Sequence, residues 1–312
     1  MSRFTFFGTE DSNESFNDNI RQEIVLESKN NLFTEGEARY RSEQLCVITI
    51  DGIIENHVDT KLEYHVKKYI SNNELMVKIT LVDQVVNIHP ATLQDTLTLM
   101  SKIDVIKSDA LLVVNPNNGK IDRIANVDEI RTNWFAFKNE VIKTTSYIKS
   151  PEMKSNIATY LEDTEKQFTE ENLLLDFNVR PFFELFFDTY LVRDEFHFAP
   201  YSKLYYSQLF DRLPVDFNID QTITEETPST MTILKNGKVG NDNPHLKDFE
   251  KVYDLRYKPK IGYKFSEYEY NHETRVSYNL DDKMLNESTM VITEAVKNNI
   301  ELFIDYKIRR IV

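Results

Sequence analysis

The densest group of residues able to do acid–base chemistry is Asp194-Glu195-Phe196-His197. A carboxylate beside an imidazole, close to an apolar wall, can be tuned into a general base, and Glu195 with His197 is the pair that would serve. The segment follows an aromatic run and precedes Tyr201, Tyr205 and Tyr206. Nothing near it supplies a nucleophile or a set of oxyanion donors, so the plainer reading is a helix end whose acids face water. The six histidines are His57, His65, His89, His197, His245 and His272. No two are spaced His-x-x-x-His or His-x-His, so a metal centre would need assembly from distant segments. His65 falls on the polar face of a strand, and His272-Glu273 reads as a surface pair in a turn.

The single cysteine, Cys46, cannot form an intramolecular disulfide. Its neighbours Leu45, Val47 and Ile48 read as strand, which makes it a small buried hydrophobe rather than a nucleophile. Asp216, Asp220, Glu225 and Glu226 lack the close acid spacing and the glycine that a calcium loop needs, so they read as a solvated strand face. The chain holds seven glycines, where average composition would supply about 22. Only Gly237 and Gly240 lie close together, and they fit no phosphate-binding loop and no nucleophile elbow. The sequence therefore assigns no catalytic residue, no cofactor site and no metal ligand, and the chain is expected not to be an enzyme.

The formal charge is −14, from 37 basic and 51 acidic residues. No basic block exceeds Lys67-Lys68 or Arg309-Arg310, which disfavours nucleic acid and anionic membrane surfaces as partners. No stretch approaches the ~18 apolar residues of a membrane span, and the opening residues Met1 to Gly8 hold no apolar signal core. A cytoplasmic location is expected.

The elements that must position these residues follow from periodicity. Residues 1–35 read as a flexible acidic arm, with Phe4, Phe6 and Phe7 either docking on a partner or forming an edge strand. From about 38 to 89, apolar and polar residues alternate, as in Cys46, Ile48, Ile50 and in Val77, Ile79, Leu81. That period marks antiparallel strands with one wet face, and Ser71-Asn72-Asn73 is a turn between two of them. A helix is expected near 92–103 with Leu93, Leu97 and Met100 on one face. Asn118-Gly119 predicts a two-residue hairpin. Asn126 is placed to cap a helix whose Val127, Ile130, Trp134, Phe137 and Val141 form a buried stripe.

Further helices are expected from Pro151, Thr169 and Pro181. The last carries Phe182, Phe183, Phe186, Phe187 and Tyr190 and should pack centrally against a sheet. The stretch 194–250 reads as irregular, with a second hairpin turn at Asn236-Gly237. Strands return with Tyr263 and Phe265, a bulge near Ser266-Glu267, and alternation through 276–280 and 302–309.

Strands, then helices, then strands predict an α+β fold. The expected architecture is a large curved antiparallel sheet, open or bent into a half-barrel, with a helical segment at about 92–190 packed against it. Residues 36–312 are expected to form one domain, or two intimate halves meeting near 192–212. The favoured function is a non-catalytic partner of another protein: an adaptor, a chaperone, an immunity-type inhibitor or a subunit of an assembly. The concentration of Tyr253, Tyr257, Tyr263, Tyr268, Tyr270 and Tyr278 in the last quarter leans towards such a binding surface. Two alternatives stand beside it. One is a carrier of an apolar small molecule in a half-barrel cavity. The other is an enzyme with a site assembled from distant residues.

Overall fold

A computed structural model describes residues 33–145, 150–193, 199–239 and 245–311. The segment 1–32 and the group Asp194, Glu195 and His197 lie outside the described residues.

The first three strands are long: β1 (Gly36–Ile50), β2 (Ile53–Ser71) and β3 (Glu74–His89). Two-residue turns join them, with positive φ at Asp51 and Gly52 (50° and 75°) and at Asn72 and Asn73 (51° and 64°). That mirror-image geometry matches the twist of the flanking strands. Next come α1 (Gln94–Ser108), β4 (Ala110–Val114), β5 (Ile121–Ile124), α2 (Val127–Thr144), α3 (Pro151–Glu165), α4 (Glu170–Val179) and α5 (Pro181–Phe186). The remainder is β6 (Tyr201–Tyr206), β7 (Pro214–Glu226), β8 (Thr230–Val239), α6 (Leu246–Arg256), α7 (Lys258–Ile261), β9 (Tyr268–Asn279), β10 (Met284–Val296) and β11 (Ile300–Arg310).

The eleven strands of the described residues join one open antiparallel sheet in the order β5-β4-β3-β2-β1-β11-β10-β9-β8-β7-β6. The first described strand, β1, lies mid-sheet, and the chain meanders from it out to the β5 edge. After the helices it resumes at the opposite edge with β6 and meanders back until β11 pairs with β1, Tyr40 opposite Arg310. The fold is mixed but mostly sheet, and the strands along its middle bury one phase against the helices. On β1, β2 and β3 that phase carries Tyr40, Tyr64, Val66, Val77 and Ile79, all buried. Phe182 of α5 stacks on Tyr64 with ring centroids 4.1 Å apart, and Tyr190 stacks on Tyr278 at 3.7 Å. The aromatic helix is central, as its composition requires.

Local expectations are corrected at several points. Asn118-Gly119 does not form a two-residue hairpin. The turn spans Asn115 to Lys120, closed by Asn115 N–H to Lys120 O (2.9 Å) and Gly119 N–H to Asn115 O (2.9 Å), and only Gly119 takes positive φ. Asn126 stands before α2, but its amide clamps strand ends instead of capping the helix: Oδ1 accepts from Leu111 N–H (2.7 Å) and Nδ2 donates to Asp109 O (3.0 Å). Asn236-Gly237 is not a turn; it lies within β8, where a Cβ on Gly237 would sit 2.5 Å from the Phe217 ring. The glycine is there for close packing inside a strand.

The supposedly irregular 194–250 contains β6, β7 and β8, with Pro214 tolerated as the first residue of its strand. Residues 262–267 form no strand and no bulge, because side chains hold them in place of a ladder. Tyr253 Oη donates to Tyr263 O (3.2 Å) and Asn299 Nδ2 to Lys264 O (2.9 Å). Helix α1 runs on to Ser108 and buries Ile103 and Lys107, whereas Leu93 and Met100 are exposed.

Candidate functional site

Three consecutive leucines, Leu173-Leu174-Leu175, cannot share one face of a helix, because successive residues are 100° apart. In α4, Leu173 and Phe177 are fully buried, while Leu175 and Val179 form a second apolar stripe at i,i+4 that is 61% and 55% exposed. That stripe walls a groove of about 770 Å³ between the helices and the sheet. Its floor is mostly apolar and comes from three strands: Met290 and Ile292 of β10, Ile304 of β11 and, as the polar member, Gln44 of β1. The opposite wall is the edge strand β6, with Leu204 and Tyr206 half-exposed at the rim. Polar groups gather at the ends: the Glu184–Lys203 ion pair at one, and Arg212 with the Arg256–Asp211 pair (2.5 Å) at another.

Glu294, on the inward phase of β10, pins this second wall. Its fully buried carboxylate accepts from Ser207 Oγ, Gln208 N–H (3.2 Å), Tyr205 Oη (3.3 Å) and Tyr268 Oη (3.2 Å). Burial pushes its pKa up, and the four donors work against that. Ser207 Oγ in turn accepts from Phe210 N–H (2.8 Å), which shapes the turn after β6.

Beyond Glu184 the same inner face carries more buried charge. Lys235 meets Asp188 at 2.6 Å, and burial would raise the Asp188 pKa were it not for Lys235 and Lys120, which hold it below the usual carboxylate range. His272 is not a surface turn residue. It lies mid-β9 between Gly237 and Ile292, 2% exposed, with Nε2 3.0 Å from Thr274 Oγ1. Burial, reinforced by Lys203 and Lys235, lowers its pKa to about 4, so it is neutral at pH 7.

The other singled-out residues are placed as follows. His65 is exposed and pairs with Glu37 at 2.6 Å. Cys46 is partly buried opposite Ile304, and burial lifts its thiol to about 11. Asp216, Asp220, Glu225 and Glu226 lie on the exposed face and end of β7. The late tyrosines do not form a surface: Tyr253, Tyr257, Tyr268, Tyr270 and Tyr278 are buried core residues, and only Tyr263 is exposed. Among the described residues, no group of three His, Cys, Asp or Glu side chains is placed to hold a metal ion. Among them, too, no helix is long and apolar enough to cross a membrane.

No known protein family matches the chain. No curated protein matches it either. Among solved structures it is similar to one described as lipid–protein interactions in lipovitellin, at 8% identity and a TM-score of 0.37. The match covers 90% of this chain and 25% of that one, so the chain spans about a quarter of its length. A likeness this distant bears on no residue of the groove.

Proposed function

We propose that the chain binds an apolar or amphipathic small molecule in the groove between α4, α5 and the sheet, without performing chemistry on it. The reading takes the sheet as a half-barrel whose hollow holds the helices and leaves the groove at their margin. The observation that carries it is a cavity of about 770 Å³ floored by Met290, Ile292 and Ile304, with a second apolar stripe of α4 turned towards it. That volume lies in the range of small-molecule sites, about 300–1,000 Å³. The lining sets three cations, Lys203, Arg212 and Arg256, against two carboxylates, Glu184 and Asp211, and the surplus positive charge suits an anionic head group, so the expected ligand class is a fatty-acid-like amphiphile.

The test is displacement of a fluorescent fatty acid by n-alkyl carboxylates of eight to fourteen carbons. Burial of each methylene contributes about 0.8 kcal/mol, so each added carbon should tighten binding roughly fourfold until the groove is full. A series with no dependence on chain length would sink the reading.

A second reading, docking of a partner protein's apolar side chains, draws on the same exposed rim of Leu175, Val179, Leu204 and Tyr206. Recovery of a stoichiometric protein complex that Val179→Glu abolishes would favour it.

A further inference from the structure

We infer that a second cavity, beside Lys120, is a binding site for a small aromatic carboxylate. It is separate from the groove: along β6, Lys203 faces the groove while Tyr201, two residues earlier, faces this cavity of about 350 Å³. The volume has room for about a dozen water-sized groups.

One carboxylate, Asp188, serves two lysines. Its Oδ2 is taken by Lys235 at 2.6 Å and its Oδ1 by the Thr189 N–H at 2.7 Å. Lys120 Nζ stands 3.7 Å from Oδ1, within Coulomb reach but too far for a hydrogen bond. Its ammonium therefore keeps its donors for a ligand, and with Asp188 and Lys235 the cluster carries one surplus positive charge. In a chain of formal charge −14, a cationic cavity selects for an anion.

The walls define the rest of the ligand. Tyr190, Tyr201, Tyr278 and Ile233 supply aromatic and apolar surface, and Gln221 supplies an amide. The Asn115–Lys120 turn is seated tightly on the site, since a Cβ on Gly119 would lie 2.1 Å from the Asp188 carbonyl oxygen. Gly119 thus sets the position of Lys120. A planar carboxylate of benzoate size meets these constraints, with the ring among the tyrosines and the anion on Lys120.

The experiment is calorimetric titration of the full chain with benzoate and with benzyl alcohol, its neutral counterpart. Wild type should bind benzoate saturably, and benzyl alcohol at least tenfold more weakly. Lys120→Met, a change at a half-exposed side chain, should weaken benzoate at least tenfold. Gly119→Ala should do likewise by displacing the turn. Val179→Glu, in the groove, should leave benzoate binding unchanged, which separates this site from the proposed function. Absence of saturable benzoate binding, equal affinity for the alcohol, or indifference to Lys120→Met would each overturn the assignment.

Discussion

Among the described residues, three buried charged side chains occupy the inward phase of strands, and each is held by a different device. Lys235 has a counter-ion, Asp188. Glu294 has four hydrogen-bond donors. Lys68 has only carbonyls: its ammonium donates to Asp282 O (2.8 Å) and Lys283 O (2.7 Å) and lies over the Phe33 ring. Burial lowers its pKa to about 7, against an ordinary value of 10.5. Between those values the unfolded chain holds the proton more tightly than the folded one, so this group makes stability rise with pH from about 7 towards 10.5. Comparison of urea midpoints at pH 7 and pH 9 should show that rise in wild type and its loss in Lys68→Met. Identical pH profiles for the two proteins would contradict the assignment. The sequence analysis singled out none of the three as buried, although each shares the phase of apolar neighbours, as Glu294 does with Met290 and Ile292. Gly237 was not legible, because the same dipeptide signals a turn when no aromatic ring crosses it and a packing gap when Phe217 does.

The elements show where periodicity suffices and where it does not. Alternation in β1, β2, β3 and β11 and the stripe of α2 were readable because one buried face imposes one period. The helix of α1 was readable too, but not which of its residues reach the core: Leu93 and Met100 are exposed, while Ile103 and Lys107 are buried. The groove was signalled by the leucine run of α4, one apolar face more than a helix needs for packing alone. Its opposite wall was not signalled, because Tyr205 of β6 meets Glu294 of β10 from 89 residues away in sequence. Glu294→Ala should strand the hydroxyls of Ser207, Tyr205 and Tyr268 and cost about 3 kcal/mol or more in chemical denaturation. Glu294→Gln, which keeps an acceptor in place, should cost clearly less. Equal losses in the two variants would show that the hydrogen bonds do not hold this wall.

At the scale of the molecule, two meanders close on each other where β1 meets β11, so the first and last strands form the centre of the sheet. The helices between β5 and β6 fall on one face of that sheet, and the groove lies where α4 and α5 leave the β6 side partly open. The binding account depends on that opening being used. The most direct test is calorimetric titration with dodecanoate of wild type and of a variant carrying Leu175→Glu and Val179→Glu. Both positions are exposed, so the variant should melt as wild type does. The account predicts saturable one-to-one binding to wild type, weakened at least tenfold in the variant. No binding to wild type, or equal affinity in both proteins, would contradict it.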